Sequence, residues 1–228
     1  MIELVAGHPK YAKHVGPLLH ASFPEMIDFI LPDHRMSAKV LAALYARDRG
    51  YFSYRYSTLA MSDGRVVGLE ISFDLAQFSK EKWAGRLAWL LACPPSIWWP
   101  WPPTIARSIG AYEPAPTPNT YYLNNIAISP SQQGKGVGRL LIDHVSQRAA
   151  ENGYDAIELD VATSNKRAAA VYEKLGFSVT RSLPSSEWLQ GRGIPSLVRM
   201  RREFPDRFFA LPETFSEIDR TSGHSLPL

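Results

Sequence analysis

Gln133-Gly134-Lys135-Gly136-Val137-Gly138 carries the plainest chemical signal in the chain. Glycines at alternate positions let the backbone turn with its N–H groups bare. The branched run before them and the amphipathic run after them set this turn between a strand and a helix. At that point the positive end of the helix dipole reinforces the bare donors, so the loop suits an anion, and a phosphorylated ligand in particular. Spacing excludes two familiar phosphate loops. The Walker pattern G-x-x-x-x-G-K-[ST] is absent. A dinucleotide-binding unit needs its first glycine directly after the strand and an acidic residue closing the second strand. Here Ser129-Pro130-Ser131-Gln132 intervenes, and Asp160 falls inside the second strand.

The elements that must hold the loop read clearly around it. Tyr121 to Ser129 is a strand, and Val137, Leu140, Leu141, Val145 and Ala149 form one face of a helix running to Asn152. A second strand (Ala156 to Val161) and a second helix (Ser164 to Phe177) follow, with Glu158 and Asp160 read as a solvated sheet face. Upstream come a strand over Ile2 to Ala6 and helices over 8–22 and 36–49. A hairpin then joins Thr58–Met61 to Val66–Phe73 through Asp63-Gly64. Downstream, strands over Ser178 to Leu183 and Ser196 to Arg201 flank a loop at Trp188 to Gly193. Between 75 and 120 the rhythm breaks: Trp83, Trp89, Trp98, Trp99 and Trp101 fall here, with Pro94, Pro95, Pro100, Pro102 and Pro103. Lys82 to Leu91 reads as helix, Ile105 to Ile109 as a short helical turn and Pro114 to Asn119 as linker. The whole reads as an insertion packed on the domain by its own hydrophobic contacts. The expected organisation is one domain over 1–204 carrying this insertion, then a C-terminal tail over 205–228 that frays from Thr221.

Taken together, Ile126-Ala127-Ile128 with Pro130, Gln133-x-x-Gly136-x-Gly138, Asn165, and Ala170-Val171-Tyr172-Glu173-Lys174-Leu175-Gly176-Phe177 resemble the GCN5-related N-acetyltransferase (GNAT) superfamily. The resemblance covers residues 121 to 180. It implies an α+β, three-layer α/β/α fold whose mixed, mostly antiparallel twisted sheet has a splayed parallel pair at a coenzyme A site. It implies acetyl-CoA as the acetyl donor, its pyrophosphate held by backbone N–H groups from Gln133, Gly134, Lys135, Gly136, Val137, Gly138 and Arg139. Lys135 and Arg139 read as either added charge there or solvated side chains, and Lys166 and Arg167 read as either outer-phosphate partners or a solvated helix start. Pantetheine would pair with the main chain around Ile126, Ala127 and Ile128 like an added strand. The N–H of Ile126 would face the thioester oxygen. Tyr172 holds the family's general-acid position, and Asn165 would both cap its helix and reach the coenzyme arm. Where many members carry an acidic base this chain has Asn124 and Asn125, so the base is either Glu70 or water held by those amides. The implied reaction is direct attack of an amine on the thioester, with a small-molecule amine as the expected acceptor. A protein lysine or N-terminal acetyltransferase and a non-catalytic CoA-binding module are the alternatives, and a homodimer is an assembly the resemblance allows.

Composition bounds these expectations. A formal charge of +3 with 45% hydrophobic and 21% charged residues describes an ordinary globular protein and falls short of a nucleic-acid footprint. Cys93 stands alone, excluding an intramolecular disulfide and fitting a reducing, cytoplasmic setting as a buried apolar residue. The longest uncharged apolar run is broken by prolines, and no membrane partner is expected. His8, His14, His20, His34, His144 and His224 form no ligand spacing along the chain, so no metal is expected.

Overall fold

The computed structural model describes residues 1–98 and 115–204. Seven strands form one sheet: β1 (Ile2–Ala6), β2 (Ser57–Ser62), β3 (Arg65–Asp74), β4 (Thr120–Ile128), β5 (Ala156–Ala162), β6 (Ser178–Leu183) and β7 (Leu197–Glu203). Their order is β1-β2-β3-β4-β5-β7-β6, antiparallel at each step except the parallel β4–β5 pair. The helices are α1 (Ala12–Ser22), α2 (Pro24–Ile30), α3 (His34–Tyr45), α4 (Leu75–Ala92), α5 (Pro95–Trp98), α6 (Val137–Glu151), α7 (Lys166–Lys174) and α8 (Glu187–Gln190).

Alternation along the strands builds the layers. Leu69, Ile71 and Phe73 of β3 face a core shared with Leu19, Leu41, Tyr45 and Phe78 from α1, α3 and α4. On the opposite side, Leu123, Ile157 and Leu159 pack with Ile142 and Val145 of α6, with Tyr172 of α7 at the margin. The result is the α/β/α arrangement expected from the sequence. Local chemistry explains the joints. Asp63 (φ 49°) and Gly64 (φ 72°) both adopt left-handed backbone, as a two-residue hairpin turn between right-twisted strands requires. Asp33 caps α3 by accepting from the N–H groups of Arg35 (2.8 Å) and Met36 (2.9 Å).

Four readings are corrected. α4 begins at Leu75 rather than Lys82, because Asp74 and Gln77 form a reciprocal capping box directly off β3 (2.7 and 3.0 Å). α2 was not foreseen; Pro24 opens it at a position that needs no N–H. Glu187–Gln190, expected as loop, is a short helix capped by Ser186. Glu158 and Asp160 are buried rather than solvated, because residues 115–117 lie over that face of the sheet. Arg199 of β7 clamps Asp160 with two hydrogen bonds (2.8 and 2.9 Å) and donates to the Ala115 carbonyl at 2.9 Å. Thr117 N–H donates to Glu158 at 3.2 Å.

One acidic residue ties α4 to the loop after α3, beside the buried Phe78 and Ala88. Glu81 of α4 is buried and accepts from Arg49 Nε (2.9 Å to each oxygen), Gly50 N–H (2.7 Å) and Tyr56 Oη (3.1 Å). Desolvation pushes its carboxyl up, but Gly50, Arg49 and Tyr56 outweigh it and hold the group below its ordinary value of 4.5. A depressed carboxyl contributes stability that is present above the ordinary value and lost as pH falls through the folded one. Glu81→Ala should cost about 3 kcal/mol in chemical denaturation at neutral pH, with the gap to wild type narrowing in acid. Trp89 meets Phe52 edge-on at 5.9 Å, whereas Trp83 is 73% exposed in a stripe with Leu87, Leu90 and Leu91. Cys93 is buried, which raises its thiol to about 11. The expected turn at Ile105 to Ile109, Trp99, Trp101 and the tail from Pro205 lie outside the described residues. Among the described residues no helix is long and apolar enough to cross a membrane.

Candidate functional site

β4 and β5 pair only from Thr120–Ala156 to Leu123–Leu159; beyond Leu123 they part. The cause is local. In the β3–β4 ladder Asn125 sits opposite Ile71 and Leu123 opposite Ser72, which leaves Asn124 as an extra residue. Such a bulge bends its strand and ends pairing with the next one. Past it, among the described residues, Asn124 to Ile128 pairs with β3 alone, while Asp160 to Ala162 pairs with β7 alone.

The backbone groups along this gap can be assigned. Ser129 N–H donates to the Val67 carbonyl at 2.8 Å, which makes Gly68–Ile128 a non-hydrogen-bonded pair. Two residues earlier, Glu70–Ile126 is the same kind of pair. The N–H and C=O groups of Ile126 and Ile128 therefore point away from β3 and into the gap, while Ala127 faces β3. Gln133 Nε2 donates to the Ile128 carbonyl at 3.2 Å, tethering the glycine loop to the strand.

That loop ends on α6. Gly134 (φ 78°) and Gly136 (φ 85°) both take left-handed backbone, and a Cβ at either would meet open space. Gly136 is the N-cap and supplies no side-chain cap, so the first N–H groups of α6, on Val137, Gly138 and Arg139, are unsatisfied by the helix. Val137 is buried and anchors the turn in a cluster with Leu141, Ala60 and Val67. Lys135 is exposed, and Arg139 makes a long contact with Asp143 (3.4 Å).

Across the gap, Asn165 accepts from Ala168 N–H at 3.0 Å and caps α7, while Lys166 and Arg167 are exposed. Tyr172 lies half-buried on that helix with its ring 5.8 Å from Phe177. Burial pushes its phenol up to about 12, so it stays protonated at neutral pH.

Glu70 differs from expectation. It is fully buried across the ladder from Ile126. Oε1 accepts from Arg148 Nη2 of α6 at 3.0 Å and Oε2 from Ser72 Oγ at 2.7 Å. Arg148 also donates to Thr58 Oγ1 at 3.3 Å. Desolvation raises the carboxyl above its usual range, opposed by Arg148 and the Thr58 and Ser72 hydroxyls. With both oxygens engaged and no exposed surface, the structure does not bring Glu70 to the gap as a free proton acceptor.

Other polar groups do line the gap's α1 side. Asn124 Nδ2 donates to Asn125 Oδ1 (2.6 Å), and Asn125 Nδ2 donates to Ser22 Oγ at the end of α1 (2.8 Å). Glu25, in the first turn of α2, reaches Ser164 Oγ at 3.4 Å just past β5. Sequence reasoning missed Ser22 and Glu25. The one available signal was the Ser-Phe-Pro-Glu break between two helical patterns.

Comparison with known proteins agrees with this geometry. Residues 69–177 match the model of the acetyltransferase (GNAT) family. A [ribosomal protein bS18]-alanine N-acetyltransferase of Escherichia coli is 41% identical over 56 residues, 25% of this chain and 38% of that protein. An uncharacterized Mycobacterium leprae protein is 28% identical over 196 residues, covering 76% of this chain and 51% of its own length. The chain thus spans less than two thirds of these relatives. The crystal structure of an N-acetyltransferase from Staphylococcus aureus Mu50 superposes with a TM-score of 0.63 at 14% identity over 87% of this chain and 99% of that one, a likeness of fold. The matched segment, residues 69–177, runs from β3 through the glycine loop to just past α7, and over that stretch the chain is similar to the GNAT acetyltransferase family.

Proposed function

We propose that this chain is an N-acetyltransferase that moves an acetyl group from acetyl-CoA to an amine by direct attack. The observation that carries the reading is the gap past Leu123, whose edge offers the backbone groups of Ile126 and Ile128 beside the uncapped start of α6. Pantetheine would lie along that edge as a surrogate strand, and its pyrophosphate would meet the N–H groups of Gly134 and of Gly136 to Arg139, since the Gln133 and Lys135 N–H groups donate to the Pro130 (3.4 Å) and Gln132 (3.3 Å) carbonyls. The Ile126 N–H would stabilise the oxyanion as the amine adds to the thioester carbon. Collapse of the intermediate expels the thiolate, and Tyr172 would return its proton. The ammonium proton would leave through water held by Asn124 and Asn125, with Glu25 as the nearby carboxylate; Glu70 is reserved for its ion pair with Arg148.

The acceptor is proposed to be a small-molecule amine bound between the α1–α2 corner and the gap. A protein N-terminus is the second reading, favoured by the similarity to the bS18-alanine enzyme. Thiol release from acetyl-CoA should be followed with a panel of small amines and a peptide bearing a free N-terminal alanine. Release with one acceptor class selects the reading. Acetyl-CoA binding without release for every acceptor would overturn catalysis and leave a binding module. In the same assay Gly136→Val, forced into left-handed backbone at a cost of about 1–2 kcal/mol, should raise the KM for acetyl-CoA and leave that for the amine unchanged.

A further inference from the structure

Three side chains that the proposed reaction does not use converge beside α1. His20 comes from the last turn of α1, Asp28 from α2 and His34 from the first position of α3. One ligand atom of each lies within 4.8 Å of the other two. His20 Nε2 is 2.7 Å and His34 Nδ1 is 3.5 Å from the same oxygen, Asp28 Oδ1. The two rings stand edge to face, 5.3 Å apart and 87° to one another.

We propose that His20, Asp28 and His34 form a binding site for a single divalent transition-metal ion of the zinc class. One hydrogen bond from His20 would satisfy Asp28 Oδ1, and the second imidazole at 3.5 Å is too far for a good hydrogen bond. Its placement suits a ligand converging on a shared point. Among the described residues Asp28 has no lysine or arginine partner, so its charge faces only the two rings. Two imidazole nitrogens and one carboxylate oxygen match Zn²⁺, Co²⁺, Ni²⁺ or Fe²⁺. The all-oxygen sets that Ca²⁺ and Mg²⁺ prefer do not include imidazole. Three protein ligands leave room for water on the ion. Side-chain exposures of 21%, 43% and 74% for His20, Asp28 and His34 provide an entry path from solvent.

The ion would tie together three consecutive helices. α1 ends two residues beyond His20 at Ser22, which holds Asn125 at the edge of the gap. Metal would therefore brace the corner beside that strand. Spacing along the chain hides the cluster because each ligand comes from a different helix, and only the packing of α1, α2 and α3 brings them together.

The test is Co²⁺ titration of the full chain after chelator treatment, followed by visible absorption, then displacement by Zn²⁺. One Co²⁺ per chain with visible bands is expected, and Zn²⁺ should raise the melting temperature of the wild type. The exposed His34 and the near-isosteric exchange Asp28→Asn allow variants that keep the fold, checked by circular dichroism. His34→Ala and Asp28→Asn should each weaken binding by about tenfold or more. His14→Ala, at an exposed histidine on the same helix as His20, should not. Absence of Co²⁺ bands, or binding as tight in His34→Ala and Asp28→Asn as in His14→Ala, would overturn the proposal.

Discussion

Tyr172→Phe is expected to lower kcat by about a hundredfold or more while leaving the KM for acetyl-CoA near its wild-type value. The exchange removes one hydroxyl and keeps the ring against Phe177, so the packing of α7 survives. A tyrosine with a purely structural role would therefore lose little in this variant. Direction follows from the chemistry of the leaving group. An acid works in its protonated form, and burial holds this phenol near 12, so it carries its proton across the neutral range. Any alkaline fall in kcat due to Tyr172 would lie near that value, beyond the stable range of most assays. Acceptors should separate two versions of the same role. If thiolate expulsion limits turnover, the variant should be slow with every amine. If the loss appears with only one acceptor, Tyr172 contacts that acceptor and is not the acid.

Signals carried by a few adjacent residues were legible. Asp63-Gly64 demands left-handed backbone at both positions, and the hairpin forms there. Gly134 and Gly136 take the positive φ that bares the α6 N-terminus, and Asn165 caps α7. Each outcome depends on local backbone geometry, which sequence encodes directly. Polar residues whose meaning depends on a distant partner were not legible. Glu158 and Asp160 alternate as a solvated face would, yet Arg199 meets them from β7. Glu70 stood as a candidate base because its partner Arg148 lies on the other side of the glycine loop, 78 positions away. The start of α4 was hidden for another reason. Its buried positions Phe78, Glu81, Gly85 and Ala88 include a charge and a glycine, while Trp83, Leu87, Leu90 and Leu91 face outward, so no apolar stripe marks its inner side.

Arg148→Met should destabilise the protein by about 3–5 kcal/mol at neutral pH, because it strands the Glu70 carboxylate without its cation. Arg148 is the cation on Glu70, and it stacks over the Tyr121 ring at 5.4 Å as well. The pH dependence identifies the mechanism. Burial already raises the Glu70 carboxyl, and removing Arg148 takes away the largest of the interactions that oppose it. A carboxyl raised in the folded state costs no stability while protonated. Its penalty grows as pH rises from the ordinary value through the folded one. The variant should thus recover toward wild type in acid, the opposite of Glu81→Ala only in cause: there the wild type loses its advantage, whereas here the variant sheds a penalty. Glu70→Gln in the Arg148→Met background should restore part of the loss at neutral pH, since a neutral amide replaces the stranded charge. Denaturant melts of the two single variants and the double variant across pH measure this coupling. The same Glu70→Gln chain separates scaffold from chemistry. An unchanged pH profile of kcat/KM fits an ion pair that pins β3 to α6 across from Ile126, whereas loss of the acidic limb would return Glu70 to the role of general base.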